Sequence, residues 1–242
     1  MTLLQPHPDV TLYKGDALSI LRDLPDNSVD AIITDPPYCS GAFTLAAKQA
    51  PPDTKYKKSS TQAVYTEFAC DARDQRSFIL WGSMWLSECL RIAKISAPLL
   101  VFSDWRQLPA TTDYVQIAGW SWRGVVVWHK PSSRPLPGEF RRECEFIAYA
   151  RKGVRGDVEP TVYPGLYSYS APCGPKRKHL TQKPIELMRD LIRIVPQGGT
   201  VLDPFIGSGT TAEAAISTGR KCIGIEMVKA NIDIAAARVA PI

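Results

Sequence analysis

The chain reads as an α/β fold built on a largely parallel sheet. Strand and helix patterns alternate along most of its length, and two of the strands run straight into Asp-Pro turns. Composition agrees: 45% hydrophobic and 22% charged residues, with 20 prolines and 16 glycines scattered, exclude disorder, collagen and coiled coil as descriptions of the whole. At 242 residues there is enough chain for one large core.

Val10 to Lys14 reads as a strand and Ala17 to Leu24 as a short helix. Ala31 to Thr34 is a buried strand stopped by Pro36 and Pro37, which cannot continue a ladder. Ser77 to Ile95 has helical spacing, Leu99 to Ser103 is a strand and Gln107 to Ala118 a helix. Val125 to Trp128 is a further strand, with Cys144 to Ala150 returning beside it as an antiparallel partner. Pro184 suits the first turn of a helix running to Val195. Thr200 to Asp203, Thr210 to Thr218, Lys221 to Glu226 and Val228 to Val239 complete a strand, helix, strand, helix series. The expectation is roughly seven strands. Two stretches, 39–75 and 151–180, lack apolar periodicity and read as loops or small inserts on one domain.

Cys39, Cys70, Cys89, Cys144, Cys173 and Cys222 are widely spaced, with no C-x-x-C pair and no zinc-like spacing to a histidine. Reduced, mostly buried thiols and no metal site are expected. No apolar run approaches the roughly 18 residues of a membrane span and the first ten residues lack a signal-peptide core, so a cytoplasmic protein without a membrane partner is expected. The net charge of +5 is uneven. Residues 130–183 hold 11 Lys and Arg against 5 Asp and Glu, while the remainder is about neutral, which suits a surface facing a polyanion.

Two constellations carry chemistry. Asp35-Pro36-Pro37-Tyr38 follows directly on a strand, where open α/β sheets bind ligands. The Asp35 carboxylate and a proline-fixed carbonyl can together accept both hydrogens of an amino group, and Tyr38 offers a face on which a base stacks. The plainer reading is a capped strand end with a buried tyrosine. The second is Asp203-Pro204-Phe205-Ile206-Gly207-Ser208-Gly209-Thr210-Thr211 at a strand-to-helix turn, followed by Glu226 at the end of the next strand. Its glycines admit a ligand to the backbone, and Glu226 is placed for ribose hydroxyls. Gly207-x-Gly209-x-x-Ala212 also satisfies the dinucleotide fingerprint, so the motif indicates a nucleoside-type site without choosing the cofactor. The absence of a lysine speaks against a P-loop.

Taken together, these residues resemble the S-adenosylmethionine-dependent DNA amino methyltransferases of the permuted (beta) group, in which the catalytic tetrapeptide precedes the cofactor loop. The motifs occur in that family's order: Gly15-Asp16, Asp35-Pro36-Pro37-Tyr38, Trp128-His129-Lys130-Pro131, His179-Leu180-Thr181-Gln182-Lys183-Pro184, the 203–211 loop and Gly224-Ile225-Glu226. They span about two-thirds of the chain. The resemblance implies a Rossmann-like methyltransferase fold with helices on both faces of the sheet. Residues 1–242 would form a single catalytic domain, with 39–75 a DNA-facing loop and 151–178 a short target-recognition region. It implies S-adenosylmethionine as cofactor, double-stranded DNA as partner, and a homodimer.

By the same resemblance, a flipped adenine stacks on Tyr38 with N6 held by Asp35 and the Pro36 carbonyl, and Pro37 completes the catalytic group. Phe205, Gly207 and Gly209 pack along the cofactor, Glu226 takes the ribose, Asp16 lies near the cofactor's adenine, and Thr181 with Lys183 closes over the methionine end. Ala17, Asp35, Pro184, Asp203, Ser208, Thr210, Thr211 and Met227 complete the cofactor contacts. Aspartate rather than serine at position 35 resembles adenine-N6 more than cytosine-N4 members. Lys55, Lys57, Lys58, Arg134, Arg141, Arg142, Lys176, Arg177 and Lys178 are candidate DNA contacts, read against solvated surface. Leu180 departs from the proline often found there, which affects loop stiffness more than chemistry. About 28 residues are available for target recognition, which predicts a short or relaxed target sequence.

Rival readings leave residues unexplained. A nicotinamide oxidoreductase would use Gly207, Gly209 and Glu226 but leave the 35–38 tetrapeptide idle. A catalytically dead DNA-binding module conflicts with an intact Asp35 and Tyr38, and Cys173 lacks the surroundings of a cytosine-C5 nucleophile. Cytosine-N4 DNA and RNA amino groups remain alternative substrates within the same chemistry. His129 and His179 read as structural. The tryptophans read mainly as core, with Trp81 and Trp85 on one helical face where a partner would meet them.

Overall fold

The computed structural model describes residues 2–38, 73–133, 137–154, 156, 160–172 and 183–240. Nine strands among them form one mixed sheet: β1 (Thr2–His7), β2 (Val10–Lys14), β3 (Ala31–Thr34), β4 (Pro98–Ser103), β5 (Ser121–His129), β6 (Cys144–Arg151), β7 (Leu166–Ser168), β8 (Thr200–Asp203) and β9 (Lys221–Glu226). Their order is β1-β2-β9-β8-β3-β4-β6-β5-β7. The run from β2 to β4 is parallel, and β6 lies antiparallel between β4 and β5 as its sequence suggested. Two strands exceed the expected count. β1 joins β2 through a tight antiparallel turn with a register shift, and three-residue β7 pairs with β5 inside the stretch read as a loop. Neither is long or regular enough to show a period of two.

Each central strand is buried on both faces, with alternate residues supplying opposite cores. Ile32, Leu99, Val101 and Leu202 face one side, where they pack with α1 (Ala17–Asp23), α2 (Gln75–Ile92) and α3 (Leu108–Ile117). Ala31, Ile33, Leu100, Phe102 and Val201 face the other and meet α4 (Ile185–Ile192), α5 (Thr210–Ser217) and α6 (Lys229–Val239). The result is a doubly wound sheet with helices on both faces. α2 starts just inside the stretch expected as an insert, because Asp74 caps it by accepting from the Ser77 N–H at 2.9 Å. Among the described cysteines Cys89, Cys144 and Cys222 are free, and burial raises the thiol pKa of Cys89 and Cys222. No helix among the described residues is long and apolar enough to cross a membrane.

The topology fixes where ligands enter. From β3 the chain crosses through α2 to β4, and from β8 it crosses through α5 to β9 on the opposite side. β3 and β8 are neighbours, with Ala31 opposite Val201 and Ile32 opposite Leu202. The two Asp-Pro turns therefore open side by side into the crevice of a topological switch point.

Candidate active site

Asp203, at the end of β8, bolts the two turns together. It is 2% exposed and satisfies three donors: Thr34 Oγ1 and the Phe205 N–H donate to Oδ1 at 2.7 and 3.0 Å, and Thr211 Oγ1 donates to Oδ2 at 2.6 Å. Burial pushes its carboxyl up to about 6 against these bonds. The residue expected beside the cofactor thus faces inward and fixes the glycine loop to β3. Thr210 and Thr211 are likewise buried. Thr211 binds Asp203, and Thr210 Oγ1 accepts from Arg238 Nη1 at 2.6 Å.

The loop's two positive-φ glycines serve different ends. A Cβ on Gly209, at φ +83, would lie 2.8 Å from Ala235 Cα, so its absence lets α5 sit close against α6. Among the described residues, a Cβ on Gly207, at φ +52, would meet nothing nearer than the Phe205 carbonyl at 3.9 Å, so these residues leave this side of the loop open to a ligand. Phe205 is held between Trp81 and Trp85, with ring centroids at 5.4 and 5.1 Å. The two tryptophans thus brace the loop, the use their shared helical face left open. Ser208 is buried and Met227 is partly exposed.

At the end of β9, Glu226 Oε1 accepts the Val228 N–H at 2.7 Å. Burial raises its pKa, opposed by the N–H groups of Val228, Met227 and Gly207 and by the Asn231 side chain. The Gly15 N–H donates to the Glu226 carbonyl at 3.0 Å, which brings the start of α1, and with it Asp16 and Ala17, to the same edge. Asp16 Oδ2 caps α1 through the Ser19 N–H and hydroxyl at 3.0 and 3.1 Å.

The tetrapeptide is tied into a buried charge chain. Tyr38 donates its hydroxyl to Asp35 Oδ1 at 2.5 Å, and Lys183 Nζ donates to Oδ2 at 2.5 Å. Lys183 is 7% exposed, lies 3.2 Å from the Tyr38 oxygen and 3.5 Å from Glu145 Oε2, and has the Phe102 ring at 5.0 Å. Glu145 Oε1 accepts from Lys130 Nζ at 2.8 Å. Burial alone would lower the Lys183 ammonium, yet Asp35 and Glu145 hold its pKa above the usual value. Burial raises Asp35, with Lys183 and Tyr38 opposing. Burial would raise Glu145 too, but Lys183 and Lys130 hold it below the ordinary range. The Tyr38 phenol is pushed well up by burial and by Asp35, so it stays a donor.

Lys183, expected over the methionine end of a cofactor, therefore sits on the tetrapeptide; Pro184 behind it is the N-cap of α4. Glu145 had no place in the sequence reading. It lies one residue into β6, opposite Trp128, and only the insertion of β6 beside β4 brings it to the edge that holds Asp35. Arg141 and Arg142 are exposed and pair with Glu143 at 3.3 Å and Glu139 at 2.7 Å. Nearby, Phe140 is 97% exposed and Trp105 49%. The guanidiniums of Arg106 and Arg142 lie 5.0 and 5.7 Å from the Trp105 ring. Lys55, Lys57, Lys58, Arg134, Cys173, Lys176, Arg177, Lys178, His179 and Thr181 lie outside the described residues.

Comparison with known proteins agrees with this fold. The chain is similar to YubD of Escherichia coli (strain K12), with 29% identity over 219 residues covering 89% of this chain and 84% of that protein. It is similar to the type II methyltransferase M.HinfI of Haemophilus influenzae, with 27% identity covering 95% of this chain and 68% of that protein. Two solved structures share the fold. The M1.HpyAVI–SAM complex has a TM-score of 0.68 at 24% identity, covering 96% of this chain and 100% of that one. The cytosine-N4-specific PvuII DNA methyltransferase has a TM-score of 0.72 at 17% identity, covering 96% and 87%. Residues 29–237 match the N6/N4 DNA methylase model, and the chain belongs to that DNA methylase family.

Proposed function

We propose that this DNA methylase transfers a methyl group from S-adenosylmethionine to N6 of an adenine flipped out of duplex DNA. The observation that supports the reading is the bolt from Thr34 to Asp203, which ties the strand leading into the 35–38 tetrapeptide to the strand leading into the Gly207 loop at the switch point. Asp35 and the Pro36 carbonyl accept the two amino hydrogens and so hold the nitrogen lone pair toward the donor methyl, while the base stacks on Tyr38. The cofactor supplies an electrophilic methyl on a sulfonium. As the nitrogen–carbon bond forms and the carbon–sulfur bond breaks, the amine loses a proton to water, so no covalent enzyme nucleophile is required.

The site fits that cofactor. Gly207 leaves the loop backbone approachable, and Glu226 has no cationic partner among the described residues, so its carboxylate is available to a ribose diol. Ser208, Phe205, Asp16, Ala17, Met227, Pro184 and Thr181 complete this side. Asp203, Thr210 and Thr211 act by holding the loop's shape. Arg141 and Arg142, with exposed Phe140 and Trp105, form the described part of a DNA-facing edge, to which Lys55, Lys57, Lys58, Arg134, Lys176, Arg177 and Lys178 belong in this reading. The short 151–178 region supports a short or relaxed target, and a homodimer is its proposed assembly.

Aspartate at position 35 favours adenine over cytosine N4. The test incubates the chain and Asp35→Ala with methyl-labelled S-adenosylmethionine and duplex DNA, then identifies the labelled nucleoside. N6-methyldeoxyadenosine from the wild type alone is expected. N4-methyldeoxycytidine would transfer the reading to the cytosine amino group, and unlabelled DNA despite cofactor binding would overturn it.

A further inference from the structure

We propose that Glu145 is a positioning residue that draws Lys183 off Asp35 when the target amino group arrives, freeing the catalytic carboxylate to accept its hydrogens. The inference rests on the amino-methyltransferase reading above. Both Asp35 oxygens are engaged, one by Tyr38 and one by Lys183, each at 2.5 Å. With Tyr38 on one oxygen and the Lys183 ammonium on the other, the Asp35 carboxylate is a weaker acceptor for a neutral amine, and it gains acceptor strength when Lys183 yields. Lys183 cannot do so alone, because an ammonium 7% exposed and stripped of its partner is costly. Glu145 removes that obstacle. Its Oε2 lies 3.5 Å from Lys183 Nζ and takes no hydrogen bond among the described residues, while its other oxygen is anchored by Lys130 at 2.8 Å. A movement of about 1 Å exchanges one carboxylate for the other without exposing the ammonium, well within the reach of a lysine stem.

Strand geometry supports the division of labour. Glu145 is fixed by pairing with Trp128 on β5, and Lys183 comes from the segment before α4. The groups facing Asp35 and its partners are Lys183, Tyr38 and Glu145, with Lys130 beyond β5, Asp104 beyond β4 and Asp203 on β8. Of these, Glu145 contributes the negative charge that raises the Asp35 pKa from outside the tetrapeptide. Removing it leaves the whole Lys183 charge on Asp35.

The experiment compares wild type, Glu145→Gln and Glu145→Asp in single-turnover methyl transfer to duplex DNA across pH, with cofactor affinity measured by calorimetry. Glu145→Gln is expected to slow transfer about 10- to 100-fold at unchanged cofactor affinity and to move the acid limb of the rate profile to lower pH. Glu145→Asp keeps the charge and is expected to recover most of the rate. If the glutamine variant does not fold, the aspartate variant carries the test, with a modest rate loss and wild-type cofactor affinity expected. Wild-type rate and pH profile in Glu145→Gln would overturn the proposal, as would cofactor affinity falling in step with rate. A wild-type chain that methylates no DNA would instead sink the function on which it rests.

Discussion

Replacing Asp203 by asparagine should change the pH dependence of stability while leaving the loop in place. The wild-type carboxyl has its pKa raised by burial from 3.8 to about 6. An acid raised on folding contributes stability that is fully present below its unfolded pKa and is lost as pH rises through its folded pKa. The difference of about 2 units corresponds to about 3 kcal/mol, removed between pH 4 and pH 7. At 2% exposure no solvent screening reduces that figure. Asparagine resembles the protonated acid. Its amide oxygen accepts from Thr34 and Phe205, and its amide nitrogen faces Thr211, whose hydroxyl turns from donor to acceptor. Urea unfolding of both proteins at pH 4, 5, 6 and 7 reads the effect, since groups not coupled to Asp203 cancel in the difference and Asp35, the coupled carboxylate, is a smaller contribution than burial. The two should be similar at pH 4, with asparagine gaining about 3 kcal/mol on the wild type by pH 7. Parallel curves, or asparagine losing ground as pH rises, would refute the reasoning and show that the hydrogen bonds, not desolvation, govern this carboxylate.

Gly209→Ala drives a Cβ to 2.8 Å from Ala235 Cα at a positive φ, and should cost about 1–3 kcal/mol in urea unfolding as α5 and α6 part. Glu226→Gln should weaken S-adenosylmethionine binding about 10-fold or more by calorimetry while melting near the wild-type temperature, because a charged acceptor for the ribose is lost and the backbone bond to Val228 survives. The Arg141→Ala, Arg142→Ala pair should lower the slope of log K against log salt for duplex DNA by about 2 without changing which nucleoside is methylated. An unchanged slope would remove this loop from the DNA-facing surface.

The parts of the site legible in the sequence are those that a backbone rule fixes locally. Pro36 and Pro204 mark strand ends, Gly207 and Gly209 mark a turn, and four buried residues in a row mark β3 as a central strand. The strand count fell short at β1 and β7 because an irregular hairpin and a three-residue strand leave no periodic trace. Side-chain direction was the harder quantity. Asp203, Thr210 and Thr211 stand in the cofactor motif as ligand contacts would, yet all three are buried and turned inward, where their partners Thr34 and Arg238 are distant in sequence. Position in a motif does not distinguish a residue that touches the ligand from one that shapes the loop that does.

Lys183 and Glu145 show the same limit from the other side. Nothing around Glu145 separates it from the solvated Glu139 and Glu143, and it becomes part of the site because β6 is antiparallel and inserted between β4 and β5. That insertion places the start of β6 level with the end of β4, Phe146 opposite Ser103, so a residue at the beginning of one strand shares an edge with residues at the end of its neighbours. In a wholly parallel sheet the same glutamate would lie at the opposite edge, far from Asp35. Once it is there, the low dielectric that raises Asp35 also makes a lone Lys183 untenable, so two carboxylates around one ammonium become the arrangement in which the lysine can move and remain paired.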